Sequence, residues 1–383
     1  MQWQEAVKQA IELRHWLHQH PELTWEEQHT AEKIRQCLTK WGIKWRSCAQ
    51  YGTVASIAPQ TQGKNIALRA DMDALPINET AKVDFKSLEP GKMHACGHDG
   101  HMAALLGTAL WLKQHESELR NQVTLIFQPA EEGGHGALKM IEDGALDKVD
   151  EIYGWHNWPA LKFGTAVCPD GPVMSGNASF KIIINGEGGH ASQPEACRDP
   201  VVAASAITLN CQQIISRRLP PQSSAVISVT QMQAGTTPNI IPQTVELGGT
   251  IRFSEPKWRE QIAQYLTEVA QHTALSYGVE AHVSVEPFYD ATINHAAQAE
   301  IFRKVLAFNL GEHYDQVSMH VPIMGAEDFS YYLQKIPGAF ALIGMSDEHG
   351  EQNSYCAPCH SPNYEFNDQL IDLVMKSFVK IVS

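Results

Sequence analysis

Short apolar runs that alternate with helical patterns constrain the fold of this chain more than any other feature of its sequence. The apolar runs are bounded by turn residues and lie at 52–58, 65–70, 122–128 and 151–155. Apolar residues at helical spacing are found at 5–20, 25–41, 100–115 and 136–143. Strands that alternate with helices favour a mainly parallel sheet with helices on both faces. We therefore predict an α/β core.

The order of elements changes near residue 174, where strands begin to outnumber helices. Predicted strands lie at 178–185, 223–231, 245–253 and 280–286, and predicted helices lie at 199–217 and 257–277. This β-α-β-β-α-β order is typical of a compact ferredoxin-like domain. We therefore predict a mixed, mainly parallel α/β domain formed by 1–174 and 288–383, with a ferredoxin-like α+β domain inserted at 175–287.

The composition favours a protein that binds small molecules. Among 383 residues, 29 basic and 43 acidic side chains give a net charge of −14, which argues against binding nucleic acid or membrane through a basic surface. The N-terminus lacks the features of a signal peptide, and no apolar stretch approaches the roughly 18 residues that span a bilayer. We therefore expect a cytoplasmic protein that binds neither nucleic acid nor membrane. In that compartment its eight cysteines stay reduced, as buried side chains or metal ligands.

The segment from Met93 to His101 is the densest group of chemically active residues, with histidines, a cysteine and an aspartate close together. Buried polar groups need partners, so packing alone does not account for such a cluster. A thiolate and an imidazole two residues apart can bind one metal ion or two adjacent ions, because Gly97 permits the necessary turn. We therefore predict that Cys96 and His98 bind metal. The alternative is a polar loop in which Asp99 caps the following helix.

Carboxylates follow two of the predicted strands. Asp71 and Asp73 lie on alternate positions at a strand end, so both can face a site at the carboxyl end of the sheet. Glu131 and Glu132 follow the run 122–128, and neighbouring carboxylates repel each other unless a cation or a shared proton intervenes. One can bind metal while the other acts as general base and then as proton donor. The alternatives are an aspartate that only caps a turn and a solvated acidic turn.

Two further histidines are candidate ligands. His156 follows the run 151–155 and shares its strand-end position with the carboxylates, although a lone histidine beside tryptophans is more often a packed side chain. His360 ends the sequence Cys356-Ala-Pro-Cys359-His360, which also matches the attachment pattern of c-type haem. Haem attachment requires export, which the N-terminus does not indicate. We therefore favour His360 as the last ligand of a shared metal site and keep a haem or redox protein as the alternative.

The inserted domain contributes candidate substrate contacts. His190 follows a strand on a glycine-rich turn, where it can donate a hydrogen bond to a developing oxyanion. Asn239 and Arg252 offer an amide and a guanidinium, which suit a substrate carboxylate. Each of these signals is weak by itself, and we treat the three as candidate substrate-binding residues.

Seven motifs together resemble those of the aminoacylase and carboxypeptidase-like metallopeptidase superfamily, in its amidohydrolase branch of N-acyl amino acid, hippurate and auxin-conjugate hydrolases. The resemblance covers nearly the whole chain. The motifs are Arg69–Pro76 (RADMDALP), His94–His101 (HACGHDGH), Gln128–Gly133 (QPAEEG), Gly154–His156 (GWH), Gly188–Ala191 (GGHA), Met324–Phe329 (MGAEDF) and His360–Tyr364 (HSPNY).

The resemblance implies amide hydrolysis by a catalytic domain with two divalent metal ions per subunit, and an inserted lid domain that also mediates dimerisation. Glu131 would be the general base, Asp73 would orient a ligand or tune the site, and His190 would reach the substrate in the partner subunit's site. Sulfur, nitrogen and oxygen ligands together suit zinc, manganese, cobalt or nickel. A homodimer or higher homo-oligomer is implied as well. The implied metal ligands are Cys96, His98, Glu132, His156 and His360.

One residue departs from the family's pattern. The family often has a histidine just after the proline of the Gly-His-Ala-x-x-Pro stretch, where this chain has Glu195. An additional carboxylate beside the pocket would favour a cationic substrate, such as an N-acetylated diamino acid, whereas the alternative is an exposed lid glutamate. The favoured function is removal of an acyl group, most simply acetyl, from a small N-acyl-L-amino acid. The nearest rival on the same scaffold is a dipeptidase.

Overall fold

The computed structural model describes residues 1–311, 320–347 and 355–383 of the chain, and these form two compact units. The first comprises Met1–Val173, Ile293–Val321 and Asp328–Ser383, and the second comprises Met174–Thr292 with Pro322–Glu327. The sequence analysis assigned Pro322–Glu327 to the first domain, but the backbone N–H of Ser175 donates to Ile323 O and Gly325 O and joins this segment to the second unit. The lid and dimerisation roles of the second unit stay a prediction.

The helices and strands have the following bounds. The helices are α1 (Trp3–Gln19), α2 (Gln28–Lys40), α3 (His98–Gln114), α4 (Gly136–Glu142), α5 (Pro200–Gln213), α6 (Pro256–Ser276), α7 (Ala296–Leu310), α8 (Ser330–Leu333) and α9 (Gln369–Val382). The strands are β1 (Lys44–Cys48), β2 (Gly52–Ile57), β3 (Asn65–Asp71), β4 (Gln122–Gln128), β5 (Glu151–Lys162), β6 (Ala166–Val167), β7 (Gly171–Met174), β8 (Gly176–Asn185), β9 (Gly189–His190), β10 (Ala225–Gln233), β11 (Ile240–Ile241), β12 (Thr244–Phe253), β13 (Glu280–Pro287), β14 (Thr292–Asn294) and β15 (Gly338–Ser346).

The first unit is built on a seven-stranded sheet with the order β1-β2-β4-β3-β5-β15-β6. The four central strands run parallel, whereas β1, β2 and β6 add antiparallel edges. Asp71 at the end of β3 pairs with Gln128 at the end of β4, so the segments that follow these two strands leave the sheet side by side. Carboxyl ends of parallel strands are where α/β proteins place their sites. The predicted mixed, mainly parallel α/β fold is confirmed.

Helix α3 is the central helix of the first unit. It packs against α1 and α9, and nearly all its side chains are buried, as expected for a helix that is apolar on all sides. Helix α2 packs against β1 and β2, and α7 packs against β15. None of the helices in the described ranges combines the length and the apolarity needed to cross a bilayer.

The second unit contains a four-stranded antiparallel sheet with the order β10-β12-β8-β13. Helices α5 and α6 pack against each other and against this sheet around an apolar core. The first strand of the unit therefore lies between its third and fourth strands, as the split β-α-β arrangement requires. The predicted ferredoxin-like α+β fold is confirmed for this unit.

One local prediction was wrong, and one of the alternatives is contradicted. The predicted helix from residue 25 begins only at Gln28, because Trp25 has a φ of 62° and Leu23 forms a β-bridge with Ala74. Asp99 does not cap α3: it lies inside the first turn of the helix, and its carboxylate accepts hydrogen bonds from His18 and Arg14 instead.

A buried ion pair connects β3 with the start of α8. The guanidinium of Arg69 contacts the carboxylate of Asp71 and donates to Asp328 Oδ1 at 2.9 Å, and its Nε donates to Gln128 Oε1 at 2.8 Å. The backbone N–H of Ala137 also donates to Asp328. Two carboxylates without access to water are tolerable because the cation of Arg69 lies between them, and His98 and His101 add positive charge beside Asp71.

We expect Arg69→Met to destabilise the protein by about 3–5 kcal/mol, because it leaves Asp71 and Asp328 buried without their cation. Urea unfolding followed by far-UV circular dichroism measures the change. The matched control is Arg46→Met, since Arg46 is an exposed arginine that donates to the backbone carbonyls of Ser47 and Gly144 and has no buried carboxylate partner among the described residues, and it should change stability by less than about 0.5 kcal/mol. Equal changes in the two variants would contradict the role of the ion pair.

Candidate metal centre

Five segments of the first unit bring their polar side chains together at the carboxyl ends of β3, β4 and β5. Asp73 follows β3, the pair Glu131 and Glu132 follows β4, and His156 lies on β5. The loop before α3 adds Cys96, and α3 begins at His98. His360 comes from the segment before α9, where its backbone N–H donates to Ala95 O at 2.8 Å. The five predicted metal ligands, Asp73 and Glu131 thus belong to one cluster.

The ligand atoms of this cluster are close enough to share metal ions. The Cys96 Sγ lies 3.3 Å from His156 Nε2, and His360 Nε2 lies 3.2 Å from Glu132 Oε1. Because Cys96 and His98 each belong to more than one group, the groups adjoin and can hold neighbouring ions. Three groups have ligand atoms that all lie within 4.8 Å of one another: Cys96 with His98 and His156, Cys96 with Glu132 and His360, and His98 with Glu131 and Glu132.

The hydrogen bonds of two histidines leave one ring nitrogen of each for a metal ion. His98 donates through Nδ1 to the carbonyl oxygen of Asp73 at 2.8 Å, so its lone pair is on Nε2. That Nε2 is buried and has no hydrogen-bond partner in the part of the chain that the structure describes. His156 donates through Nδ1 to Asn157 O at 2.7 Å, which directs its Nε2 toward Cys96. Metal-binding histidines show this same division of roles, so the residues present fit a metal ion.

The electrostatics of the cluster favour a cation. Burial lowers the pKa of His98, but the charges of Asp71, Asp73 and Glu132 outweigh burial and raise that pKa to about 10. The hydrogen bond to Glu132 raises the pKa of His360 in the same way. Both shifts arise from neighbouring carboxylates, whose negative charge bound cations would balance.

Asp73 positions the turn that follows β4. Its two carboxylate oxygens accept the backbone N–H groups of Glu131 and Glu132, at 3.0 and 2.9 Å, and Oδ2 also accepts from Thr24 Oγ1 at 2.8 Å. Its Oδ1 lies 3.3 Å from His98 Nδ1. Asp73 therefore orients a metal-site histidine and both glutamates, which fits the orienting role predicted for it.

Asp71 is paired with His101 beside the centre. Its Oδ1 accepts from His101 Nδ1 at 2.6 Å, and His101 Nε2 lies 2.8 Å from Asn157 Oδ1. Burial alone would raise the pKa of Asp71, but the charges of Arg69, His98 and His101 outweigh it and hold that pKa well below its usual range. The Oδ2 of Asp71 lies 3.8 Å from His98 Nε2, and Asp71, His98 and His101 form a further group of candidate ligand atoms, so Asp71 lies at the edge of the centre.

The sequence analysis assigned no role to His101 or Asn157. His101 lies one helical turn after His98 and therefore on the same side of α3, and Asn157 directly follows His156. The spacing of His101 from His98 and of Asn157 from His156 marks both residues as candidates for the site. Nothing in the sequence, however, indicates that they contact each other or Asp71.

The structure does not favour the haem interpretation of the Cys356-x-x-Cys359-His360 sequence. Cys356 is exposed, whereas Cys359 forms a side-chain hydrogen bond with Cys96 that lowers the pKa of Cys359. His360 contacts Glu132. The last two residues of the motif thus belong to the candidate metal centre.

The candidate substrate residues all lie in the second unit. His190 on β9 pairs with Ile240 on β11, and the backbone of Asn239 accepts from Ala191 at 3.0 Å, so His190 and Asn239 are neighbours. Arg252 lies on β12 and is half-buried, and burial lowers its pKa. Glu195 is exposed on a short turn of 3₁₀-helix.

A cluster of sulfur, nitrogen and carboxylate groups at the edge of an α/β sheet fits the class of metal-dependent hydrolases, and comparisons with known proteins agree. Residues 67–383 match the model of peptidase family M20/M25/M40. The chain is 39% identical over 366 residues to the IAA-amino acid hydrolase ILR1-like 4 of Arabidopsis thaliana, which covers 94% of this chain and 82% of that protein. It is 40% identical over 343 residues to the N-acetyl-L-cysteine deacetylase of Bacillus subtilis (strain 168), which covers 89% of this chain and 82% of that protein.

A solved structure is similar to this chain over nearly its whole length. The crystal structure of the Bacillus subtilis YXEP protein, a dinuclear metal-binding peptidase from the M20 family, has a TM-score of 0.85 at 33% identity and covers 99% of this chain and 98% of that chain. The chain therefore belongs to peptidase family M20/M25/M40, and it is an enzyme that uses divalent metal ions to hydrolyse amide bonds. The predicted membership of the amidohydrolase branch is confirmed.

We expect Gly97→Ala to weaken metal binding, because Gly97 has a φ of 93° and a Cβ there would overlap Asn157 Oδ1 and Tyr364 Oη. Gly91→Ala is the matched control: Gly91 has a similar φ of 80°, but the nearest atom to its Cβ is 3.9 Å away. Both substitutions cost about 1–2 kcal/mol of backbone strain. Only Gly97→Ala should reduce zinc affinity, by about 10-fold or more, in competition with a chromogenic chelator. Similar affinities in the two variants would contradict this account of the loop.

Proposed function

We propose that the protein removes an acyl group, most simply acetyl, from an N-acyl-L-amino acid. The observation that carries the proposal is the grouping of His98, Glu131 and Glu132, which combines ligand atoms with a second carboxylate at one strand end. A general base must lie within reach of the water it activates, and Glu131 directly precedes the proposed ligand Glu132. The names of the plant hydrolase and the bacterial deacetylase support an acylated amino acid as substrate.

The proposed metal ligands would hold divalent ions, which supply part of the chemistry of amide hydrolysis. Divalent ions bound in such a site lower the pKa of a water molecule and polarise the carbonyl of the amide. Two ions per subunit are proposed, because the ligand groups adjoin through Cys96 and His98. The mixed ligands suit zinc, manganese, cobalt or nickel. The proposed ligands are Cys96, His98, Glu132, His156 and His360.

Glu131 is the proposed general base and general acid. Its side chain is only 6% exposed, so the carboxylate acts in a region from which bulk water is largely excluded. It accepts a proton from the attacking water and then donates that proton to the nitrogen of the leaving amine. Its backbone is fixed by Asp73, which keeps the carboxylate in place through both transfers.

His190 is the proposed donor to the oxyanion. Its Nδ1 accepts the backbone N–H of Ser192 at 3.1 Å, so the proton of the neutral ring is on Nε2. This Nε2–H can donate to negative charge that develops on the carbonyl oxygen. The exposure of His190 supports action in the site of a partner subunit, and we therefore propose a homodimer or higher homo-oligomer.

Two further residues of the second unit are proposed to bind the carboxylate of the substrate. The amide of Asn239 can donate one hydrogen bond, and Arg252 can donate two parallel ones. Glu195 is proposed to favour a cationic substrate side chain, because an exposed carboxylate attracts positive charge with little cost of desolvation.

An assay of amine release from N-acetyl, N-benzoyl and N-succinyl amino acids tests the function directly. Release that stops on chelation and returns with added metal supports the proposal. Cleavage of a dipeptide with a free α-amine, without cleavage of any acylated substrate, would instead identify a dipeptidase. A Soret band after expression with haem maturation enzymes would favour the haem alternative.

We expect Glu131→Gln to lower kcat by about 100- to 10,000-fold, because the amide cannot transfer the proton. Metal content, measured by inductively coupled plasma mass spectrometry, should remain that of the unmodified protein, since Glu131 is not a proposed ligand. The control is Glu142→Gln, which removes an exposed glutamate that pairs only with Lys139. Retention of kcat in Glu131→Gln would contradict the assignment of the base.

We expect Glu195→Gln to reduce kcat/KM for N-acetyl-lysine and N-acetyl-ornithine by about 2- to 5-fold and to leave N-acetyl-methionine unchanged, because an exposed charge pair contributes up to about 1 kcal/mol. Glu286→Gln removes an equally exposed carboxylate from β13 and serves as the control. If Glu195→Gln acts equally on all three substrates, the proposed preference is wrong.

A further inference from the structure

The segment 24–27, which lies between α1 and α2, contacts the turn 130–134 through three of its side chains. This turn follows β4 and includes both glutamates of the proposed centre. The segment itself contains no proposed ligand or base, and the sequence analysis interpreted most of it as helix. The contacts are Glu27 Oε1 with Ala130 N at 2.8 Å, Thr24 Oγ1 with Glu132 O at 3.3 Å and Trp25 Nε1 with Gly134 O at 3.0 Å.

The turn needs external support because its first residue has an unfavourable backbone conformation. Ala130 has a φ of 58°, in the left-handed region that residues with a Cβ rarely adopt. This conformation redirects the chain sharply after β4, and the direction of the Glu131 and Glu132 side chains depends on it. Buried carboxyl groups accept three consecutive N–H groups of the turn: Glu27 accepts that of Ala130, and Asp73 accepts those of Glu131 and Glu132.

The protonation state of Glu27 allows it to lie near the carboxylate of Asp73. Its side chain is fully buried, and burial together with the charge of Asp73 raises the pKa of Glu27 to about 8. At neutral pH Glu27 is therefore mainly a neutral acid, which can accept the Ala130 N–H through its carbonyl oxygen without repelling Asp73.

We propose that Glu27 is a positioning residue for amide hydrolysis: it holds Ala130 in the left-handed conformation and thereby fixes the directions of Glu131 and Glu132. The inference rests on the proposed function, which assigns Glu131 as general base and Glu132 as metal ligand. Glu27 itself touches neither substrate nor metal. The turn requires from Glu27 a hydrogen-bond acceptor for the backbone N–H of Ala130.

The test compares Glu27→Gln, which retains an acceptor oxygen of the same reach, with Glu27→Leu, which removes it. Glu26→Leu is the matched control, because Glu26 is the adjacent residue and is an exposed glutamate that pairs with Lys92. In the metal-loaded full chain, Glu27→Leu should lower kcat by about 10- to 100-fold with little change in KM. Glu27→Gln should stay within about threefold of the unmodified enzyme, and Glu26→Leu should not differ from it.

Two measurements that do not depend on catalytic turnover test the positioning role of Glu27 independently of the activity assay. Zinc affinity, from competition with a chromogenic chelator, should fall by about 10-fold in Glu27→Leu because Glu132 loses its fixed direction. Hydrogen–deuterium exchange of the peptides that span 128–136 should accelerate in Glu27→Leu but not in Glu27→Gln. If Glu27→Leu does not fold, Glu27→Asp replaces it, since the shorter side chain withdraws the acceptor and keeps the carboxyl group.

Normal kcat, zinc affinity and exchange in Glu27→Leu would overturn the proposal. Equal loss in Glu27→Gln and Glu27→Leu would also overturn it, because the acceptor alone would then not suffice. If the unmodified enzyme hydrolyses no acylated amino acid, the proposed function fails by itself. The affinity and exchange measurements then still decide whether Glu27 fixes the turn.

Discussion

The buried carboxylate of Asp73 is the interaction on which the arrangement of the centre depends. It accepts the backbone N–H groups of Glu131 and Glu132 and lies beside the Nδ1 of His98. One charged group thus joins the ends of β3 and β4 to the beginning of α3. Because buried charge is costly without partners, each of these contacts helps to stabilise the others. The position of the proposed general base and the direction of the proposed metal ligands therefore depend on the same carboxylate.

The sheet explains why the polar groups converge. The ends of β3 and β4 lie side by side in the parallel part of the sheet, and β5 adds His156 at the same edge. Around this edge a second layer of hydrogen bonds runs from Asp71 through His101 to Asn157. This layer fixes the ring orientations that metal binding requires, and such outer contacts usually contribute strongly to metal affinity. The first unit alone therefore contains every proposed ligand and the proposed base, whereas the proposed substrate contacts lie in the second.

The sequence was sufficient to predict the fold class and the members of the cluster, because both rest on local patterns. Alternating apolar runs predicted the α/β sheet, and the β-α-β-β-α-β order predicted the ferredoxin-like unit. The contacts of Thr24 and Glu27 were not predictable in this way. Glu27 falls within the predicted helix 25–41 and Thr24 directly precedes it, so the sequence does not indicate that either contacts a turn about one hundred residues away. The hydrogen bond from His101 to Asp71 was not predictable either, because it joins α3 to the end of β3.

Anomalous diffraction from crystals of the zinc-loaded protein, recorded at the zinc absorption edge, tests the central claim most directly. We expect two anomalous peaks per chain, each within coordination distance of some of the five proposed ligand side chains. A single peak, no peak, or peaks only at other side chains would contradict the account.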